Sequence, residues 1–202
     1  MRKLVALMAL LAGLALAQTT DSHTVSVTIP SILSLEIDAS DFIFDFSNGS
    51  LTGNEKVTVN GNDYTKASFA AYNAFIDTAT GTQTFAPTSV TGAGSNDYAT
   101  ATVRTNRAQW TVSISSIGGS LAGPLSNSRV SVFAEKDSGK GTSQTSALTT
   151  LSAPLTLFKA DAGGQGRSVY KIYYLLQMDI NDDIPLTGYN SQITINYTLT
   201  SP

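Results

Sequence analysis

A period-two alternation of apolar and polar residues is the sequence feature that most limits how this chain can fold. It begins in residues 24–29, where valine and isoleucine alternate with threonine and serine, and it recurs in residues 33–37 and 42–46. Six further runs of this kind occupy residues 55–59, 98–104, 109–115, 129–134, 169–178 and 192–199. Because successive side chains of a β-strand point to opposite faces, these runs predict short strands, most of them half-buried and antiparallel.

Turn-forming residues separate the predicted strands. Asn48-Gly49, Asn60-Gly61 and residues 163–166 supply glycine and asparagine, which tolerate the positive φ angles of tight turns. Residues 77–96 are small, polar and glycine-rich, which predicts a loop or an inserted hairpin, and residues 136–147 have a similar composition. Many short strands with frequent turns predict an all-β fold, a single antiparallel β-sandwich of the Ig-like or Greek-key type.

One segment departs from the strand pattern. In residues 63–76, Tyr64, Ala67, Ala71 and Phe75 recur at spacings of three and four. This spacing is typical of one face of a helix. The segment therefore predicts a short helix near 63–76, or else an irregular excursion between the sheets.

The first 17 residues have the pattern of a secretory signal peptide. Met1-Arg2-Lys3 is basic, residues 4–14 are uncharged and apolar, and Ala15-Leu16-Ala17 provides a small-residue cleavage site. The apolar run is shorter than the roughly 20 residues that a membrane-spanning helix needs. The sequence thus predicts a signal peptide over 1–17, a single exported β-sandwich domain over 18–202, and no membrane span.

The composition removes several kinds of chemistry. The chain has no cysteine, which excludes disulfides and thiolate catalysis. Its one histidine, His23, leaves little basis for a histidine-based triad. The formal net charge of −3 provides no basic surface for a nucleic acid. We expect a protein that is not an enzyme, holds no organic cofactor and binds no nucleic acid.

A short acidic segment is a candidate metal site. Asp179, Asn181 and Asp183 have the 1, 3, 5 spacing of oxygen ligands that calcium prefers. The EF-hand pattern then fails, because Ile184 and Asn190 stand where it needs glycine and glutamate. Two interpretations remain, a solvated loop between strands and a calcium site of another kind.

Three further carboxylates surround the phenylalanine-rich run. Asp38, Asp41 and Asp45 lie in or next to residues 42–46. A pair of such groups can hydrolyse a glycosidic bond, which gives a glycan-active enzyme as one hypothesis. The alternative is solvation, since Asp45 occupies the face opposite the three phenylalanines of its strand.

Aromatic residues are the other candidate contacts. The run 169–178 is apolar on both faces, which is typical of a central strand covered on both sides. Exposed tyrosine rings would instead form a platform on which sugars stack. The candidate glycan or partner contacts are Trp110, Tyr170, Tyr174, Tyr189 and Tyr197. For Trp110, alternation with Val112 and Ile114 favours a place in the core.

Three motifs follow one another along the chain. They are Pro30 before Leu33 and Leu35, Asn106 before Trp110-Thr111-Val112, and Tyr189 before Tyr197-Thr198-Leu199 and Pro202. In this order they resemble the bacterial surface proteins that have a WxL domain, with Val112 and Tyr197 standing where that family has leucine and tryptophan. Residues 188–197 also resemble the last strand of spore-coat-U and fimbrial-type subunits.

The resemblance implies a non-catalytic protein of the cell envelope. The expected function is an exported cell-surface protein held noncovalently by cell-wall peptidoglycan. The alternative is a structural subunit of a pilus, coat or surface layer, in which the strand over 192–199 adds to the sheet of a neighbour. The expected partners are accordingly a cell-wall glycan, another surface protein or further copies of the chain.

Overall fold

The structure, a computed structural model, describes residues 24–78, 81–121 and 123–202. The chain divides into two compact units, residues 1–30 and residues 31–202. The predicted signal peptide over 1–17 lies outside the described residues. Residues 24–30 of the first unit have no strand, so the strand predicted for residues 24–29 is wrong.

β-strands are the main regular structure of residues 31–202, and one α-helix is present among the described residues. The strands are β1 (Leu33–Ile37), β2 (Asp41–Ile43), β3 (Lys56–Val59), β4 (Asn62–Thr65), β5 (Thr82–Phe85), β6 (Ser89–Thr91), β7 (Ala99–Thr105), β8 (Trp110–Gly118), β9 (Val130–Ser138), β10 (Thr142–Ser143), β11 (Thr149–Thr150), β12 (Leu155–Ala160), β13 (Gly166–Asp179) and β14 (Thr194–Thr200). The helix α1 spans Phe69–Asp77. Among the described residues, no helix is both long and apolar enough to cross a membrane.

Two antiparallel sheets contain most of the strands. Six strands form the first sheet in the order β1-β7-β13-β9-β11, and β5 pairs with the end of β13 beyond β7. The second sheet has the order β10-β12-β8-β14. Two smaller pairs are formed by β2 with β6 and by β3 with β4, and an isolated parallel bridge joins Lys66 to Ala86. The all-β prediction is confirmed, whereas the Ig-like or Greek-key type stays a prediction.

The core joins the two sheets. Trp110 of β8 and Tyr170 of β13 belong to one buried cluster, with their ring centroids 6.2 Å apart. Phe158 of β12 stacks on Tyr170 at 4.0 Å. The inward faces of the two sheets therefore pack against each other, as the alternation of their strands requires.

The central strand β13 is covered on its outer face as well. Tyr173 and Leu175 point away from the main core and form a second buried cluster with Val57 and Val59 of β3 and with Phe133 of β9. The β3–β4 hairpin thus covers the six-stranded sheet. This explains why residues 169–178 are apolar in both alternating positions, and it supports the interpretation of that run as a central strand.

The predicted helix is present but begins later than expected. Residues 62–65 form β4, and Ser68 then caps α1 by accepting a hydrogen bond from the Ala71 backbone nitrogen at 3.2 Å. Asn60 and Gly61 both have positive φ, so they form the tight turn that the sequence predicted. The first residues of the segment predicted as a helix therefore belong to β4, the strand that pairs with β3.

Two other segments differ in detail from the predictions. The run 42–46 is a strand only as far as Ile43, although Phe44 and Phe46 still pack partly buried against the core. The segment 77–96 contains β5 and β6, which pair with β13 and β2 and not with each other. It is therefore not a simple inserted hairpin.

Candidate interaction edge

Three of the candidate aromatic contacts lie in the core. Trp110, Tyr170 and Tyr174 are at most 2% exposed. The Trp110 indole nitrogen donates to the Gly164 carbonyl oxygen at 2.9 Å, and the Tyr170 hydroxyl donates to the Lys140 carbonyl oxygen at 2.6 Å. Their rings therefore offer no surface to a glycan, which contradicts an exposed tyrosine platform on β13.

The other two aromatic candidates are half-buried. The Tyr197 and Tyr174 hydroxyl groups lie 2.6 Å apart in a hydrogen bond that connects β14 to β13. Burial raises the pKa of Tyr197 to about 12, and it raises the pKa of Tyr174 as well. The Tyr189 hydroxyl is buried and has no hydrogen-bond partner among the described residues. These two tyrosines thus support the packing of the last part of the chain.

The acidic segment after β13 forms a self-contained turn. The Asp179 carboxylate accepts hydrogen bonds from the backbone and side-chain nitrogens of Asn181 at 2.9 and 2.8 Å, and these bonds lower its pKa. Asp182, which the sequence did not single out, contacts the Arg129 guanidinium at 3.0 Å and accepts from the Asp179 backbone nitrogen. The described residues contain no cluster of three or more histidine, cysteine or acidic side chains arranged for a metal. Calcium binding by Asp179, Asn181 and Asp183 stays a prediction.

The three carboxylates near β2 each accept a local hydrogen bond. Asp38 accepts from the Thr100 backbone nitrogen at 2.6 Å, and Asp41 accepts from the Ser40 hydroxyl at 2.7 Å. Asp45 accepts from the hydroxyl and the backbone nitrogen of Ser47, and these bonds lower its pKa. A general acid needs a raised pKa, so the surroundings of Asp45 favour the opposite protonation state.

The outer edge of β14 is the most distinctive surface of the second sheet. β14 pairs with β8 on one side, and its other side has no strand partner among the described residues. Its seven residues alternate regularly between exposed and half-buried. The half-buried set is Ile195, Tyr197 and Leu199, and the exposed set is Thr194, Asn196, Thr198 and Thr200. Because no described strand pairs with its other side, a row of backbone N–H and C=O groups faces outward along β14.

The other outer strands of the two sheets are shorter or carry charge. β10 and β11 have two residues each. β1 has five residues and includes Glu36, which pairs with Arg104 across the strands at 3.0 Å. Residues 191–202, by contrast, contain no charged side chain. β5, which pairs only with β13 among the named strands, has four residues. Among these five outer strands, β14 alone is both long and uncharged.

Two open depressions lie elsewhere on the surface. One, of about 230 Å³, is lined by Lys56, Asp97, Tyr98 and Tyr173 among others, and Asp97 is paired with Lys66 at 2.5 Å. The other, of about 400 Å³, lies beside the start of β8. None of the five predicted aromatic contacts lines either depression.

Comparison of the chain with family models, with curated proteins and with solved structures gives no match. The resemblance to WxL-domain proteins therefore stays a prediction. The functional interpretation depends on the geometry of the described residues alone.

Proposed function

We propose that this chain is an exported, non-enzymatic structural subunit of a cell-surface assembly, joined to its neighbours by strand addition at β14. The observation that carries this proposal is the seven-residue, uncharged outer edge of that strand. Export follows from the basic and apolar pattern of residues 1–17.

The physical basis is the open hydrogen-bonding capacity of β14. A sheet edge offers N–H and C=O groups to any extended chain, and proteins that remain monomeric protect such edges with charge, proline, bulges or shortness. β14 has no charge and no proline within its seven residues. Its one register irregularity, between Asn196 and Tyr197, concerns the pairing with β8. Strand addition would extend the sheet without any change in the fold.

Attachment to peptidoglycan, the other predicted role, has less support from the positions of its candidate residues. Trp110, Tyr170 and Tyr174 are buried, and the Tyr197 hydroxyl is bonded to Tyr174. Wall binding therefore stays a prediction. Pelleting the exported protein with purified peptidoglycan tests it, and protein that remains wholly in the supernatant contradicts it.

The assembly proposal is tested by measuring mass against concentration. The full chain is expressed with its leader in a bacterial host, recovered from the exported fraction, and examined by light scattering, sedimentation and electron microscopy. We expect oligomers or fibres whose mass rises with protein concentration. A protein that remains monomeric at every concentration up to the millimolar range contradicts the proposal.

A matched variant distinguishes strand pairing at the β14 edge from nonspecific association. Replacing Asn196 and Thr198 with lysine places two charges on the exposed face of β14 and leaves the half-buried side chains unchanged. Charge on an edge strand opposes pairing, so we expect this variant to be monomeric with an unchanged circular dichroism spectrum. Replacing Thr149 and Thr150 of β11 with lysine is the control, and it should leave assembly unchanged.

A further inference from the structure

Two arginines lie directly opposite each other on the outer face of the six-stranded sheet. The register of β7 and β13 pairs Arg104 with Arg167, and both residues are exposed, whereas their neighbour Val103 lies in the main core. Directly opposed residues of an antiparallel pair point to the same face, with Cβ atoms about 4.5–5.5 Å apart. Like charges in this position destabilise the sheet. A negative charge between them, from the chain or from a ligand, would offset this cost.

The described part of the chain supplies one carboxylate to this pair. Glu36 of β1 contacts the Arg104 guanidinium at 3.0 Å, and both side chains are at least half exposed. The Arg167 guanidinium takes part in no ion pair or hydrogen bond with a described residue. Two positive charges therefore meet one negative charge, in a chain whose formal net charge is −3.

Lys171, on the same face of β13, shows how this sheet neutralises a cation elsewhere. Its ammonium group lies 3.4 Å from the Asp137 carboxylate and 3.9 Å from the Glu135 carboxylate. It also lies 5.2 Å from the centre of the Tyr98 ring, within range of a cation–π contact. Lys171 thus has two carboxylates and a ring, and the excess of positive charge is confined to the end of the face that holds Arg167.

The arginine pair belongs to an open row of donors. Ser34 of β1 is paired with Arg104 on the other side, so Ser34, Arg104 and Arg167 follow one another across three strands. The β3–β4 hairpin covers this face further along β13, at Tyr173 and Leu175. Neither arginine lines one of the two depressions. A site that encloses a small molecule is concave, so an open row of this kind suits a group carried by a larger polymer.

The number and geometry of the donors favour a phosphate group. A guanidinium is a planar fork of N–H donors that binds two oxygens at once. A carboxylate has two oxygens, which one fork already occupies. A phosphate monoester offers three oxygens and a charge of about −1.5 to −2 at neutral pH. It can therefore accept from two forks and from the Ser34 hydroxyl, and its charge balances the two arginines.

We infer that Arg104 and Arg167, together with Ser34, bind phosphate monoester groups of a phosphorylated polysaccharide. A polysaccharide is the favoured carrier because the polar side chains of Ser34 and Glu36 flank the arginines on the exposed face, where sugar hydroxyls can bond to them. Glu36 competes with the phosphate for Arg104. The site is separate from the proposed assembly edge, since these residues lie in the six-stranded sheet and β14 lies in the other.

Chromatography of the exported protein on phosphocellulose tests the inference, because this matrix is a polysaccharide that carries phosphate monoesters. Carboxymethylcellulose and DNA-cellulose are the comparison matrices, with carboxylates and phosphate diesters in place of monoesters. The chain is acidic overall, so general attraction to an anionic matrix is weak. We expect retention on phosphocellulose at low salt, elution by glucose 6-phosphate but not by glucose, and weaker retention on the other two matrices.

Single substitutions locate the binding, with the dissociation constant for glucose 6-phosphate measured by ³¹P NMR. Arg104→Gln and Arg167→Gln should each weaken binding at least about threefold, and Arg167→Lys, which keeps the charge and loses the fork, should restore only part of it. Glu36→Gln removes the competing carboxylate and should strengthen binding. Lys56→Gln is the matched control, since Lys56 is an exposed cation of β3 in none of the ion pairs of the described residues. It should change the affinity by less than about 1.5-fold.

Three results would overturn the inference. Equal weakening by Lys56→Gln and Arg167→Gln would assign the binding to the overall charge of the chain. Equal retention on carboxymethylcellulose or DNA-cellulose would contradict a phosphate monoester as the ligand. A natural chain that passes through phosphocellulose at low salt would show that the arginine pair binds no such polymer. Unchanged circular dichroism spectra of the variants ensure that a loss of binding is a loss of the site and not of the fold.

Discussion

Residues 24–29 and β14 have the same period-two pattern and the same lack of charge, yet only β14 lies in a sheet. β14 pairs with β8 along its whole length and directs Ile195, Tyr197 and Leu199 toward the core. The equivalent side chains of residues 24–29 remain in solvent. The two stretches therefore differ in the presence of a partner strand and not in their sequence pattern.

This difference shows what alternation can and cannot indicate. The pattern reports that a stretch can form a strand with one apolar face, but the hydrogen bonds of that strand must come from elsewhere in the fold. β14 obtains them from β8, which is itself fixed by Trp110, Val112 and Ile114 in the core. Residues 24–29 have no such neighbour among the described residues.

The largest effect is expected at Trp110, which anchors the strand that supports β14. Trp110→Ala should lower the free energy of unfolding by about 3–5 kcal/mol, because it removes a buried ring and leaves a cavity between the sheets. Urea denaturation followed by circular dichroism measures the change. Trp110→Phe is the control and should cost less, since it keeps most of the apolar volume. A loss below about 1 kcal/mol for Trp110→Ala would show that the core does not depend on this ring.

The next effect compares one inward residue of β14 with one residue of the exposed segment. Leu199→Ala should cost about 1–3 kcal/mol, because Leu199 is partly buried against the core. Val27→Ala should change the free energy of unfolding by less than about 0.5 kcal/mol, because Val27 is exposed in the single chain. Both are measured by urea denaturation at protein concentrations too low for association. Equal losses from the two substitutions would mean that the segment is already packed within one chain.

The alternation of apolar and polar residues predicted the positions of most long strands, because side chains of a half-buried strand face the core at every second residue. The runs predicted at 98–104 and 192–199 coincide, within two residues, with β7 and β14. β12 was missed because a register shift between Thr156 and Phe158 interrupts its alternation and leaves Leu157 and Phe158 adjacent and both buried. The strand predicted at 24–29 failed for the opposite reason, since its pattern is regular but no strand among the described residues pairs with it.

The sequence predicts the candidate site only in part. The uncharged, alternating stretch at 192–199 is visible directly, but its place at the outside of a sheet depends on pairing with β8, about 80 residues earlier in the chain. The aromatic candidates show the same limit. A tyrosine in an alternating strand can face the core or a ligand, and only the second sheet, packed over β13, decided this for Tyr170 and Tyr174.

A smaller effect, dependent on pH, is expected where β14 meets β13. Tyr197→Phe should cost about 1 kcal/mol near neutral pH, because it removes one hydroxyl from the 2.6 Å hydrogen bond with Tyr174. Burial raises the Tyr197 pKa from its ordinary value of 10.0 to about 12, so the folded chain holds this proton more tightly than the unfolded chain. The associated stability is complete below about pH 10 and is lost as the pH rises toward 12. Urea denaturation between pH 8 and pH 11 should show a smaller alkaline loss in Tyr197→Phe than in the natural chain. Parallel losses would show that these tyrosines do not control the alkaline transition.

The smallest effect on stability is expected at the charged edge that contrasts with β14. Glu36 of β1 and Arg104 of β7 form an exposed ion pair at 3.0 Å. Glu36→Gln should change the free energy of unfolding by less than about 0.5 kcal/mol, because water and salt screen an exposed pair. Urea denaturation at low and at 1 M salt measures this change in the free energy of unfolding, and any difference should disappear at high salt.

The same substitution tests whether the Glu36 carboxylate protects the β1 edge from pairing. If it does, Glu36→Gln should increase association in light scattering, and adding Asn196→Lys and Thr198→Lys should leave that increase in place. If the increase in association disappears when the two lysines are added, the association occurs through β14 and not through β1. That result would contradict the contrast between a protected β1 edge and an open β14 edge.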